Sequence, residues 1–324
     1  MSDDVASGRG QGWSAAGRTD TGLRRSVNQD AFICDPEQGL LAVIDGMGGP
    51  AAGEVAAAMT RDALLLGDDL KASLVQANGA ILQRAAEHPE ERGMGCVATA
   101  IRLREGELSL AHVGDTRAYL ASPAGCEQLT RDHTVVAEER ERLGMTADEA
   151  RRLPNQHQVT RDVGGQPLDE DGWIDCGSAA VSPGDVLLLC SDGLHDLVRD
   201  AELSRLLTAA RRPDASLPAL VKQLVELALE RGGHDNITVV VARREGAPPT
   251  EDTVTLTRPE PPTEETTATS ALDTGEVTDT LGGRPPGWVL LLSLFLSIVL
   301  AGLGFSVGRL SAPTPEVPAP APAP

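Results

Sequence analysis

The sequence predicts an α+β sandwich, two packed sheets with helices outside, followed by one membrane-spanning helix. Three observations predict it: short runs of Val, Ile and Leu that read as buried strands, pairs of amphipathic helices set between groups of those runs, and one uncharged apolar stretch near the C-terminus. In chain order, residues 31–43 hold two strands around a Pro36-Glu37-Gln38-Gly39 turn. Residues 53–66 and 70–86 are rich in Ala and Leu, with apolar positions at helical spacing. A second strand group covers 96–103, 108–113 and 118–120, and a helix is predicted over 136–154. Strands at 173–176, 186–190 and 237–242 complete the pattern, with helices near 200–210 and 217–230 between the last two.

Four segments carry most of the chemistry: Asn28-Gln29-Asp30, Asp45-Gly46-Met47-Gly48-Gly49, Ser191-Asp192-Gly193 and Asp235-Asn236. Each sets a carboxylate beside a glycine or an amide at the end of an apolar run. A single Asp-Gly after a strand is an ordinary turn signal; four acid-bearing segments in extended contexts point to one shared site. Carboxylates gathered there repel one another unless cations lie among them. Oxygen donors without His or Cys favour magnesium or manganese over zinc.

The chain has 324 residues and a net charge of −20, which weighs against nucleic acid or an anionic membrane surface as partner. Cys34, Cys96, Cys126, Cys176 and Cys190 are odd in number and lack metal-type spacing, so reduced, buried thiols in a cytoplasmic domain are expected. Residues 1–12 are polar and have no apolar signal-peptide core; they are expected to form a flexible arm ahead of a globular domain over 13–243.

After Ala242 the composition changes. Residues 244–287 contain many Thr, Pro and Glu and few large apolar side chains, too few to offset the entropy of ordering, which predicts a disordered linker. Its eleven Thr between Thr250 and Thr280 are candidate phosphoacceptors, although a solvated spacer is the reading that composition favours. Residues 288–307 then run for 20 positions without a charge, and at about 1.5 Å per residue a helix of that length spans the roughly 30 Å of a bilayer core. Along it Ser293, Ser297, Ala301, Gly304 and Gly308 fall within about an 80° stripe that includes a GxxxG match, so self-association or pairing with another single-pass protein is expected. Residues 308–324 form a short Ala/Pro-rich tail. Without an export signal, the folded domain is expected in the cytoplasm, anchored at the cell membrane with the tail outside.

Taken in order, these segments resemble the PPM family of metal-dependent serine/threonine phosphatases, also called protein phosphatase 2C, in its bacterial form. The resemblance covers residues 13–242. It includes Thr19-Asp20-Thr21-Gly22-Leu23-Arg24-Arg25, Asn28-Gln29-Asp30, Asp45 to Gly49 followed by Gly53-Glu54, and His112-Val113-Gly114-Asp115-Thr116-Arg117-Ala118-Tyr119. Leu129-Thr130-Arg131-Asp132-His133, Ser191-Asp192-Gly193-Leu194 and Asp235-Asn236-Ile237-Thr238 complete the series. The resemblance implies a four-layer α-β-β-α sandwich with two central, mostly antiparallel sheets. It implies hydrolysis of phosphoserine and phosphothreonine in proteins at a two-metal centre of Mn2+ or Mg2+. In that centre Asp45 bridges both ions, Asp192 and Asp235 hold the first, and Asp30 and the Gly46 carbonyl hold the second. Asp115 resembles the acid that helps bind a third, weaker ion, and Arg25 matches the phosphate-binding arginine, a role suited to a guanidinium that can grip two oxygens at once.

Four positions depart from the family pattern. Gln29 stands where many relatives have Glu, Met47 where some carry a His proposed to protonate the leaving group, and Cys96-Val97 where hydroxyl residues are common. No general acid is therefore assigned, and Cys96-Val97 is expected to affect only the core. His112, His133 and His157 are read as structural, because an oxygen-rich centre does not need them. Residues 135–162 match the variable flap thought to influence substrate choice. The expected partners are phosphorylated proteins and the Ser/Thr kinases that modify them near the membrane. Two other readings are kept: an inactive phosphopeptide-binding scaffold, and a phosphatase dedicated to one regulator such as an anti-sigma-antagonist protein.

Overall fold

A computed structural model of the chain describes residues 5–49, 52–146, 149, 153, 157–166 and 172–246. Two antiparallel sheets lie at its centre. The first contains β1 (Val5–Gly10), β2 (Trp13–Asp20), β7 (Arg117–Ser122), β8 (Gly125–Gln128), β10 (Val186–Cys190) and β11 (Ile237–Arg244), in the order β1-β2-β11-β10-β7-β8. The second contains β3 (Asp30–Asp35), β4 (Leu40–Met47), β5 (Gly95–Arg104), β6 (Glu107–Val113) and β9 (Asp175–Ala180), in the order β3-β4-β5-β6-β9. Every neighbouring pair is antiparallel.

The strands read as unbroken apolar runs because both of their faces are covered. Successive side chains on a strand point to opposite sides, so Leu41 and Val43 face the core between the sheets while Ala42 and Ile44 face helices. That inner core is built from Trp13, Ile101, Leu103, Leu187, Leu189 and Val240. Helices α1 (Ala52–Leu66) and α2 (Leu70–Glu87) cover the second sheet with Leu64, Leu74 and Ile81. Helices α5 (Asp200–Ala210) and α6 (Leu217–Glu230) cover the first with Leu203, Leu207, Leu220 and Leu224. Between these pairs lie α3 (Val135–Leu143), closed by Gly144 at φ 64°, and α4 (Asp192–His195), a single turn.

The four-layer order is therefore the expected one, although β2 and β8 were not among the predicted strands, and three further corrections apply. Residues 5–10, expected to belong to a flexible arm, form edge strand β1, joined to β2 by a tight two-residue turn with Gln11 at φ 48° and Gly12 at φ 76°. Helix α3 stops at Leu143, and most of the remainder of the helix predicted over 136–154 lies outside the described residues. The strand predicted at 173–176 begins at Asp175 and runs to Ala180. Among the described residues no helix is long and apolar enough to cross a membrane. Residues 247–324, which hold nearly all of the predicted linker and the whole of the predicted span and tail, lie outside them.

Leu187 is fully buried between the sheets. Leu187→Ala is expected to lower stability by about 2–5 kcal/mol, from lost burial plus the cavity left behind. The shift of a urea unfolding midpoint at constant slope measures it.

Candidate metal centre

The predicted carboxylates meet at one end of the sandwich. Asp30, the first residue of β3, is the cross-strand partner of Asp45 on β4. From the other sheet, Asp192 is the first residue of α4 just after β10, and Asp235 lies two residues before β11. Asp45, Gly46, Asp115, Asp192 and Asp235 line one cleft of about 450 Å³, with Arg25 and Met47 also in its wall. Asp30 is not part of that lining and is held between the sheets instead.

Asp30 is fixed from the opposite sheet. Its Oδ2 accepts hydrogen bonds from Thr238 Oγ1 at 2.6 Å and Ser191 Oγ at 2.9 Å, and Ser191 Oγ in turn accepts from the Thr238 backbone N–H at 3.0 Å. Asn236, 4 % exposed, secures the loop before β3. Its amide donates to the carbonyls of Thr21 and Val27, both at 3.0 Å, and its Oδ1 accepts from the Gln29 N–H at 2.9 Å. The amide in Asp235-Asn236 thus holds the segment that carries Arg25 and Asp30. Two glycines are required by close approach. A Cβ on Gly46 would lie 2.2 Å from the Gly53 carbonyl oxygen, and one on Gly193 would lie 2.0 Å from that of Asn236.

The charges in this cluster are not balanced by the protein alone. Burial pushes the Asp30 carboxyl up to about 7, against the hydrogen bonds from Thr238 and Ser191, and the charges of Asp192 and Asp235 add to the rise. Asp45 is raised well above the usual carboxylate range, by burial first and then by Asp30, Asp192, Asp115 and Asp235. Asp115 is raised by burial and by Asp192, Asp132 and Asp196, with Arg117 opposing. For Asp192 burial also acts upward, but the bond to His157 and the nearby His195 and His157 charges outweigh it and the net shift is downward. Asp30 Oδ1 and Asp192 Oδ1 are both buried without a hydrogen-bond partner. Orphaned buried carboxylate oxygens are costly. An all-oxygen set of this kind fits divalent cations such as Mg2+ or Mn2+.

Arg25 reaches the centre as expected. Its side chain is 49 % exposed and its Nη2 lies 2.7 Å from Asp235 Oδ2. Among the histidines, two match the structural reading and one does not. His112 is buried between Thr99 Oγ1 and the Arg131 carbonyl, both at 2.9 Å, and burial lowers it to about 4. His133 is buried against Gly114 and Asp175. His157 instead lines the cleft, with Nδ1 3.6 Å from Asp192 Oδ2 and 3.4 Å from Asp196 Oδ2. The bond to Asp192 pushes it up to about 9. Donor atoms of His157, Asp192 and Asp196 lie within 4.8 Å of one another. Neither Asp196 nor His234, which also lines the cleft, is marked by the sequence, although Asp196 follows Ser191-Asp192-Gly193-Leu194 by two positions. Cys96 is buried against Thr60, the core role expected of it. Cys176 is exposed, contrary to the expectation of buried thiols, and no described cysteine is paired.

Two antiparallel sheets lie between helices, with acids from both sheets converging on one cleft beside an arginine. The model of the protein phosphatase 2C family matches residues 3–237, and the chain belongs to that family. It is 37% identical over 237 residues to the serine/threonine protein phosphatase PstP of Mycobacterium tuberculosis, an alignment covering 70% of this chain and 44% of that protein. The chain thus spans less than half the length of that relative. The crystal structure of the M. tuberculosis phosphatase PstP/Ppp superposes with a TM-score of 0.65 at 36% identity, covering 72% of this chain and 99% of the other. A structure of the PstP catalytic domain in complex with two manganese ions gives a TM-score of 0.62 at 36% identity, with the same two coverages of 72% and 99%.

The raised acids predict an inverted pH dependence for the metal-free protein. Asp30 titrates at about 7 when folded and about 4 when unfolded. Between these values the folded state holds more protons than the unfolded state, so stability falls as pH rises. Asp45 and Asp115 act in the same sense. In chelator, the urea midpoint is expected to fall between about pH 4.5 and pH 7.5, and added Mn2+ is expected to abolish the fall.

Proposed function

We propose that this chain hydrolyses phosphoserine and phosphothreonine in proteins, using two divalent cations, Mn2+ or Mg2+, and opposing Ser/Thr kinases at the membrane. The observation that carries the reading is the convergence of Asp45, Asp192 and Asp235 on one cleft with Arg25 at its wall. Asp45, Asp192 and Asp235 would hold one cation, and Asp45 with Asp30 and the Gly46 carbonyl would hold the other. Asp115 takes part in a third, weaker site. When bound, the cations supply Lewis acidity, which lowers the pKa of water and offsets charge on the phosphoryl oxygens.

The chain's own residues supply the rest. Ser191 and Thr238 hold Asp30 so that its second oxygen stays free of hydrogen bonds. Arg25, paired with Asp235, stands in the cleft wall, where its planar fork would donate to two phosphate oxygens. No side chain is assigned as general acid, since Met47 cannot donate a proton. The intact set Asp30, Asp45, Asp192 and Asp235 argues against a phosphopeptide-binding scaffold, which has no use for a complete metal site. A phosphatase dedicated to a single regulator differs only in substrate range.

Full-length protein is expected to release phosphate from a phosphothreonine peptide only with Mn2+ or Mg2+, and Asp192→Asn is expected to lower kcat by about 10²-fold or more, the scale of losing one electrostatic group in a charged transition state. No release by folded, metal-loaded protein would overturn the reading. Release confined to one phosphoprotein would favour the dedicated enzyme.

The uncharged stretch over 288–307 supports a single-pass anchor with the folded domain in the cytoplasm. Anchoring would raise the enzyme's effective concentration near membrane kinases and their substrates. The small-residue stripe from Ser293 to Gly308 supports helix pairing. In fractionated cells the full chain is expected with the membranes and a chain truncated after residue 287 in the soluble fraction. Identical partition of the two would remove the anchor.

A further inference from the structure

The turn that carries Asp115 is gripped by two histidines that the proposed reaction does not use. The Gly114 N–H donates to His133 Nδ1 at 3.0 Å, and the His133 N–H donates back to the Gly114 carbonyl at 2.7 Å. One residue on, His195 Nε2 lies 3.0 Å from the Asp115 carbonyl oxygen. A carbonyl only accepts, so Nε2 carries the proton there. A backbone N–H only donates, so His133 Nδ1 is bare and its proton sits on Nε2, 3.1 Å from Asp175 Oδ2. Both rings are buried, at 2 % and 5 % exposure.

The turn needs such a grip. Asp115 is buried at 7 % exposure, and the acids Asp192, Asp132 and Asp196 act on it, so repulsion favours swinging its carboxylate away. Gly114 sits at φ 101° against Val97, where an added Cβ would lie 2.1 Å from Val97 Cγ1, so the turn cannot shift toward β5. Thr99 Oγ1 donates to the Thr116 carbonyl at 3.1 Å on the β5 side, and the two histidines, which hold Gly114 and Asp115, are tied to different places. His133 is anchored through Asp175, whose Oδ1 accepts from the flap residue Arg161 at 3.1 Å. His195 stands three residues after Asp192 on the one turn of α4. Its hydrogen bond therefore sets the spacing between the Asp115 backbone and the helix that carries Asp192.

We propose that His133 and His195 are positioning residues, a clamp that holds the Asp115 carboxylate against Asp192 for the third, weaker cation. The clamp rests on the reading of Asp115 as a ligand of that cation, and the test separates the two.

Mn2+ is titrated by calorimetry into the full-length chain and five variants. His133→Gln keeps a donor toward Asp175 but loses the acceptor for Gly114, whereas His133→Asn keeps an acceptor near Nδ1. His195→Leu loses the donor and His195→Gln keeps one. Asp115→Asn is the control for the ligand. The expected result is weakening of the third ion by about 10-fold or more in His133→Gln and His195→Leu, the usual scale for groups that orient metal ligands. The weak ion is retained in His133→Asn and His195→Gln, and the two tighter ions are unchanged in all four. If His133→Gln and His195→Leu bind the weak ion like wild type while Asp115→Asn loses it, the clamp is wrong and the ligand stands. Equal loss in all four histidine variants also overturns it, since packing rather than hydrogen bonding would then be at work. Retention of the weak ion in Asp115→Asn removes the ligand reading and the clamp with it.

Discussion

Everything at the functional end of this molecule depends on two hydroxyls reaching across from one sheet to the other. Thr238 and Ser191 belong to the first sheet and its continuation; Asp30 begins the second. Their bonds to a single carboxylate oxygen bring the two layers together where negative charge is densest. A hydroxyl can donate to a carboxylate without adding charge of its own, so the second oxygen keeps its capacity for a cation. An arginine in the same place would neutralise Asp30 and compete with the metal.

The surroundings of that contact follow from the same demand. Glycine at positions 46 and 193 lets backbone approach backbone to distances that no side chain allows. Asn236 spends its whole amide on three backbone groups of the loop that carries Arg25. His157 brings the flap onto Asp192 and Asp196. The acids are thus held by contacts from both sheets and bordered by the flap at His157.

The sequence made most central strands and all four long helices legible, because burial on both faces leaves continuous Val, Ile and Leu runs and helical spacing leaves a 3.6-residue period; the central strand β2 was missed, because Ser14-Ala15-Ala16-Gly17-Arg18-Thr19 is buried without any such run. Val5–Gly10 escaped notice because an edge strand of Ser, Gly and Arg has neither run nor period, and its alternation of exposed and half-exposed positions is invisible before β2 is known to be its partner. Gly125–Gln128 was missed for the same reason at the opposite edge. The acids of the centre were legible as a pattern, since each closes or opens a strand. Asp196 and His157 were not. Their importance comes from a helical turn that points Asp196 back toward Asp192 and from a flap whose path no local signal encodes. Asn236 was legible only as an amide beside Asp235, and the structure shows it bracing the loop before β3.

The position of β11 has a consequence for how the protein is made. The last strand of the domain is not at an edge but lies between β2 and β10, and it delivers Asp235, Asn236 and Thr238. Thr19 therefore waits for Thr238, 219 residues later, before its hydroxyl finds its partner. At about 5–20 residues per second of synthesis, the first two strands spend on the order of ten seconds or more without their neighbour. Until β11 docks, the first sheet is split and the acid cluster is incomplete. The acid cluster of a nascent chain thus closes only once the domain has been synthesised through Arg244.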